Sequence, residues 1–332
     1  MATLVAPTPA VTEVSIEATG ELAPSIVNNK HHRQDDIDWE KEAAVDLIAA
    51  VTKVAAHAPW MHEADKFLRP VVAARLEAEK DPDYQKPNDM LEWIIDSQTR
   101  FGQRDHKELA RYQLAIGFAA IHSTTLATTN IIYTLAAYPE LIPVLREDIQ
   151  KALAESNGSF TNTSMQKITK FDSFLKETMR CYNILNYASF QRKVLKPFTL
   201  SNGQTIPAGS VIETPLIGIN NDEEYFPEPE KFDPWRFYKL AGAKVKPGSK
   251  QADTVSNAQF VSAGPTSQLW GYGRRACPGR FFAVHEIKII IGTLILKYDI
   301  MNVGGSKERI KNLEIGSVTS PDPTAKILLK KL

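Results

Sequence analysis

The sequence predicts a mainly α-helical protein with small β-sheets, and three observations carry that reading. Apolar residues at helical spacing dominate up to about residue 190. β-Branched runs split by turn dipeptides follow Phe190. Strand and helix patterns nowhere alternate as βαβ units require, and no internal repeat is present. The 332 residues suffice for two domains of about 150 residues or one large one, either of which buries a sizeable core. Because 39 Lys and Arg balance 39 Asp and Glu, the chain offers no global field for nucleic acid, and no basic patch supplies a local one.

Residues 1–36 read as a poorly ordered lead-in, and residues 37–332 as the folded domain. The opening MATLVAPTPAVTEVSIEATG mixes Pro, Thr and Glu into its apolar residues, so it has neither the basic start nor the continuous apolar core of a signal peptide. Trp39 to Ala58 has helical periodicity up to Pro59, and Ala64 to Lys80 is a second helix with a break expected at Pro70. Asp89 is placed to cap a helix carrying Leu91, Trp93 and Ile94. A long helix follows from about His106 to Ala137. Its stretch from Tyr112 to Pro139 lacks Asp, Glu, Lys and Arg but carries Gln113, His122, Asn130 and six Ser or Thr, which suits a buried core helix over a transmembrane segment. Another helix runs from about Pro139 to Ala152.

After Phe190, Asn202-Gly203 and Pro207-Ala208-Gly209 read as hairpin turns between short strands. Residues 221–250, rich in Pro, Asp and Glu, predict a long irregular loop. A helix returns from Pro278 to Lys297 with Phe282, Ile287, Ile290, Ile291 and Leu294 as its apolar positions, and short strands follow near Ile315 and Ile327. The two cysteines, Cys181 and Cys277, form no C-x-x-C pair and have no His at ligand spacing, so a zinc site is out and a reducing compartment is the default.

The densest motif is Trp270-Gly271-Tyr272-Gly273-Arg274-Arg275-Ala276-Cys277-Pro278-Gly279, directly before a helix. Glycines permit tight turns and close approach to something flat, while the helix N-terminus, Arg274, Arg275 and Arg280 favour a thiolate. A soft anionic sulfur with one open side is what haem iron requires; a buried structural cysteine in a glycine loop is the plain alternative. Gly271-x-Gly273-x-x-Ala276 also fits a dinucleotide fingerprint, but no buried strand precedes it and Pro278 would fall inside its helix.

The run Trp270 to Gly279 resembles the F-x-x-G-x-R-x-C-x-G signature of the cytochrome P-450 family, with Trp270 in place of Phe, and Arg280-Phe281-Phe282-Ala283 resembles its filamentous-fungal members. The resemblance implies a P-450-like fold, incomplete on the N-terminal side, with haem as cofactor and Cys277 as the iron ligand. It places Arg275 and Arg192 at the haem propionates, with Trp270 shielding the sulfur and Gly279 beside the cofactor. Lys176-Glu177-Thr178-Met179-Arg180 resembles the family's E-x-x-R helix, and Phe232 to Phe237 its arginine-bearing loop, so Glu177, Arg180 and Arg236 are expected to form a buried charge network.

Ala119-Ala120-Ile121-His122-Ser123-Thr124 resembles the family's oxygen-activation motif, with His122 at the usual acid and Ser123 at the first Thr. His122, Ser123 and Thr124 are thereby candidates for proton delivery; packing of His122 and back-bonding of the two hydroxyls is the other reading. Set against the family, the sequence is expected to lack the membrane anchor, the first sheet and the W-x-x-x-R helix. The function implied is a fungal haem-thiolate monooxygenase oxidising a hydrophobic small molecule, such as a terpenoid or alkaloid intermediate of secondary metabolism. It would use O2 and electrons from an NADPH-dependent flavoprotein reductase. The alternatives are an inactive haem-binding fragment and, remotely, an NAD-dependent dehydrogenase. Family members usually sit on the endoplasmic-reticulum membrane, whereas this sequence reads as cytosolic.

Overall fold

The computed structural model describes residues 11–15, 59–102, 106–184, 192–244, 250–315 and 318–332. Val11–Ser15 forms strand β1, within the segment expected as a lead-in. The expected helix over 39–58 lies outside the described residues, as does most of 1–36. The chain divides into two compact units, residues 20–122 and residues 1–19 with 123–332.

In the first unit, α1 (Pro59–Ala78) begins on a proline, whose missing N–H costs nothing where the helix has no partner for it. The break expected at Pro70 does not occur: α1 runs through it unbroken. Leu68, Val72 and Leu76 pack with Leu91, Ile94, Ile95 and Leu109, and that shared apolar face outweighs the one backbone bond Pro70 removes. Asp89 caps α2 (Met90–Arg100) as expected, accepting from the Glu92 N–H at 2.9 Å. Arg75 of α1 grips the same carboxylate with both η nitrogens at 2.7 and 2.6 Å. That charge-assisted fork holds the Asp89 pKa down to about 2. α3 (His106–Ala137) has the bounds its composition suggested.

The second unit is built on the C-terminal half of α3, where Ile131, Tyr133 and Leu135 are fully buried. Around it lie α4 (Leu141–Ala154), α5 (Asn162–Lys167), α6 (Thr169–Cys181) and, later in the chain, α10 (Arg280–Lys297). Their buried faces, among them Ile142, Leu145, Ile149, Phe171, Phe174, Ile287 and Ile291, form one cluster. Each such side chain contributes about 1.5–3 kcal/mol of burial. Phe282 and Ile290, expected among the apolar core positions of α10, are instead 61% and 44% exposed. Their places on the helical wheel do not match the face that α4 and α6 cover, which Ile287 and Ile291 occupy.

The sheets are small and antiparallel throughout the described residues. Strand β2 (Arg192–Lys193) pairs with β5 (Val211–Ile212), and β3 (Phe198–Thr199) with β4 (Thr205–Ile206). Asn202-Gly203 sits in the β3–β4 hairpin as expected, Gly203 at φ +86°. The turn at 207–209 does not make a second hairpin. It leads from β4 to β5, which are not partners, because Val194 bonds back to Ser210 and Gly209 and draws β5 to β2. The irregular stretch 221–250 includes a short helix, α8 (Arg236–Ala241), between α7 (Leu216–Asn220) and α9 (Lys250–Ser256). Strand β6 (Tyr298–Asn302) continues from α10, β7 (Asn312–Ile315) pairs with β8 (Val318–Pro321), and β9 (Lys326–Lys331) lies between β1 and β6. No helix among the described residues is long and apolar enough to cross a membrane.

Ile291→Ala is expected to lower unfolding stability by about 2–5 kcal/mol through the cavity it leaves. Asp89→Ala should lower it by about 1 kcal/mol for the lost cap. Urea titrations of the two variants beside the parent protein check both.

Candidate functional site

Residues 270–279 leave the core at Trp270, whose ring packs on Phe260 with centroids 5.6 Å apart and whose Nε1–H donates to the Phe260 carbonyl at 2.7 Å. The indole N–H therefore has a backbone partner, not the sulfur. Gly271 (φ +75°) and Gly273 (φ +64°) adopt the left-handed region that favours glycine, and they fold the loop back so that the Cys277 N–H donates to the Trp270 carbonyl at 2.6 Å. Gly279, the N-cap of α10, has φ −84° and a Cβ there would meet nothing, so its own backbone does not demand glycine. Arg280 donates through Nη1 to the Cys277 carbonyl at 2.9 Å while its guanidinium lies 4.6 Å over the Phe281 ring.

Cys277 is a partly exposed free thiol. The preceding segment holds only an isolated antiparallel bridge, Gly264 to Ser267, so the strand that a dinucleotide fingerprint needs is missing among the described residues. Arg192 at the start of β2 and Arg275 in the loop come close enough to interact. Burial first, and then the like charge of Arg275, hold the Arg192 guanidinium below its usual range. Two guanidiniums that feel each other's charge, one of them two residues before a cysteine in a glycine loop, suit a planar dianionic iron complex, and haem with its two propionates is such a group. The donor set fits.

Glu177 of α6 has no exposure. Arg180 meets it through Nε at 2.8 Å and Nη2 at 2.9 Å, and Arg236 through Nε at 3.1 Å. The Asp233 N–H also donates to it at 3.0 Å. The remaining guanidinium donors go to the carbonyls of Asn220 and Pro229 from Arg180, and of Pro227, Glu228 and Lys231 from Arg236. The network that the family resemblance implied is present and its charges are satisfied.

On α3 the three proton-delivery candidates occupy different surroundings. His122 is half-buried with its ring 4.5 Å from that of Phe118, Ser123 is exposed and Thr124 is buried. α3 passes from one compact unit to the other between His122 and Ser123. The other cysteine, Cys181, lies against the charge network, its sulfur 3.0 Å from Arg180 Nη2. Burial, and next the Glu177 carboxylate, push the Cys181 thiol up to about 12. Among the described residues the one cluster of three carboxylates that could hold a metal, Glu79, Glu92 and Asp96, surrounds Lys86 Nζ at 2.8, 3.3 and 2.5 Å, so an ammonium already neutralises it.

The family model for cytochrome P450 matches residues 26–329. The chain belongs to the cytochrome P450 family. It is 36% identical over 326 residues to Cytochrome P450 monooxygenase ATR3 of Stachybotrys chlorohalonatus, covering 92% of this chain and 68% of that one. It is 36% identical to monooxygenase braC of Annulohypoxylon truncatum (80% and 52% covered) and 37% identical to monooxygenase BOA4 of Botryotinia fuckeliana (81% and 52%). The chain thus spans about two thirds of the first relative and about half of the others. These are fungal monooxygenases, and proteins of the P450 family bind haem.

Asp172, Lys176 and Lys288 were not singled out by sequence, yet all three are drawn into the packing around the segment that leads to Trp270. Asp172 and Lys176 stand one helical turn apart on α6, and Lys176 is buried so fully that its pKa falls to about 7. The only signal for them was a charge on an otherwise apolar helix face, which on its own fits any solvated helix.

Removing Arg180 strands the Glu177 carboxylate, so Arg180→Ala should cost about 3–5 kcal/mol, while Lys231→Ala at the exposed Glu228 pair should cost under about 1 kcal/mol. Denaturant midpoints of the two variants make the comparison. Against a thiol reagent at pH 8, Cys277 of the apoprotein should be modified first and Cys181 should stay unmodified until unfolding. With its folded pKa raised above the ordinary thiol value, the stability that Cys181 contributes is intact below about pH 9 and lost as the pH rises toward 12.

Proposed function

We propose that this chain is the haem-binding part of a fungal haem-thiolate monooxygenase that oxidises a hydrophobic small molecule, with secondary-metabolite intermediates of the terpenoid or alkaloid type as the substrate class. Oxygen and electrons from an NADPH-dependent flavoprotein reductase are its co-substrates. The observation that carries this reading is the Cys277 loop: a partly exposed cysteine, held by its own amide and carbonyl, two residues after Arg275, whose charge is felt by Arg192.

In this reading Cys277 Sγ is the iron ligand, and Arg275 and Arg192 hold the propionates by charge-assisted hydrogen bonds. When bound, the haem supplies the activation of dioxygen and the transfer of one oxygen atom to substrate. The protein's own work is binding and proton handling. Trp270 closes the core side of the loop with its ring, and the carbonyl contact of Arg280 fixes the backbone at Cys277. Ser123 Oγ, with the His122 imidazole or a water, is assigned to pass protons from solvent, on the strength of the motif it shares with the family. Its exposure leaves the hydroxyl within reach of water. Arg274, exposed on the same loop, is a contact for the reductase.

The decisive measurement is the absorbance spectrum of the reduced protein under carbon monoxide. The parent protein and Cys181→Ser are expected to give the red-shifted band of thiolate ligation, and Cys277→Ser to lack it. Persistence of the band in Cys277→Ser overturns the ligand assignment, and haem binding without NADPH-dependent turnover favours a non-catalytic fragment. Ser123→Ala is expected to keep the band and send electrons to hydrogen peroxide; unchanged coupling in Ser123→Ala and in His122→Ala returns α3 to a packing role.

A further inference from the structure

Two side chains of α6 other than Glu177 and Arg180 hold the segment that leads into the cysteine loop. Asp172 Oδ2 accepts the Phe260 N–H at 2.8 Å, while its Oδ1 pairs with Lys288 Nζ of α10 at 2.6 Å. One turn further along, Lys176 Nζ donates to the Gln259 carbonyl at 2.9 Å and to Ser267 Oγ at 2.7 Å, and Ser267 Oγ donates to the Ser262 carbonyl at 3.0 Å. The Phe260 carbonyl takes the indole N–H of Trp270 at 2.7 Å, and the Trp270 carbonyl takes the N–H of Cys277 at 2.6 Å. Asp172, Phe260, Trp270 and Cys277 thus stand in series. Phe260 is 1% exposed and Lys176 and Lys288 are 7% and 5% exposed, so these bonds lie largely away from water, where each is stronger and an unmade one costs more.

We propose that Asp172, Lys176 and Trp270 are positioning residues for the Cys277 sulfur, with the indole N–H of Trp270 as the link between the α6 anchor and the cysteine loop. The proposal rests on the reading of Cys277 as the haem ligand, but the ladder itself is a property of the polypeptide. A phenylalanine at 270 keeps the ring in the core and lacks the N–H, so Trp270→Phe deletes one link and little else.

Hydrogen exchange of the apoprotein reads the ladder without haem. Trp270→Phe is expected to speed exchange of the Phe260 and Cys277 amides about tenfold, the factor for one lost hydrogen bond at the upper end of its range. Exchange in α4 should stay as it was. In the haem-loaded protein the same variant should raise the fraction of the reduced carbon monoxide complex that absorbs at the thiol-type position. Asp172→Ala should act in the same direction, and Asp172→Asn, which keeps an oxygen to accept the Phe260 N–H but gives up the Lys288 ion pair, should fall between the alanine variant and the parent. Should Trp270→Phe fail to accumulate, the Asp172→Ala and Asp172→Asn pair carries the comparison. Unchanged exchange at Cys277 and an unchanged carbonyl spectrum overturn the proposal, even if melting temperatures fall. Faster exchange in a protein that takes up no haem leaves the ladder standing and overturns the reading under Proposed function instead.

Discussion

A carboxylate with no solvent contact has to be neutralised where it lies, and Glu177 meets that constraint by drawing two guanidiniums and a backbone N–H onto its two oxygens. The desolvation penalty of such a group is several kcal/mol per ion, so the fold around it is not free to vary. α6 must face α8, because Arg236 is the first residue of that short helix. The stretch between them must also turn inward, because the remaining donors of Arg180 and Arg236 need acceptors and find five backbone carbonyls there. A Pro-rich stretch with little secondary structure of its own is ordered by two charged side chains instead of by a ladder or a helix.

The same economy appears where the chain returns to α3 near its end. Arg309 lies with its guanidinium 3.8 Å over the Tyr182 ring and donates to Asn130 Oδ1 at 2.7 Å and to Thr134 Oγ1 at 3.1 Å. Burial brings its pKa down to about 10, yet it stays charged at neutral pH and joins the tail, α3 and the end of α6. Tyr133 adds a second tie, its hydroxyl donating to the Asp322 carbonyl at 2.7 Å. Apolar burial supplies the bulk of the stability of this unit, but these few polar side chains decide which segments lie beside which.

Against that frame the cysteine loop is held chiefly through backbone groups. The amide and carbonyl contacts of Cys277 are made by Trp270 and Arg280, and the residue is partly exposed. Fixing a cysteine through its main chain while sparing its side chain suits the ligand role proposed for Cys277. Tryptophan, standing where the family motif has phenylalanine, adds a donor, and that donor is spent inward on Phe260.

Local sequence determined the long helix over 106–137, the Asp89 cap, the Asn202-Gly203 hairpin and the cysteine loop, because each depends on a few neighbouring residues whose preferences agree. The family resemblance puts Glu177, Arg180 and Arg236 together, since motif order carries tertiary information that spacing alone lacks. Tertiary structure alone decided that α1 passes through Pro70, that β5 turns back to β2, and that Phe282 and Ile290 face outward. In each case packing by a segment distant in sequence outweighed a local preference of about one hydrogen bond or one side chain. It alone revealed Asp172 and Lys176 as buried anchors of the segment before Trp270, because a charged residue on a helix acquires a role only when another part of the chain brings it a partner.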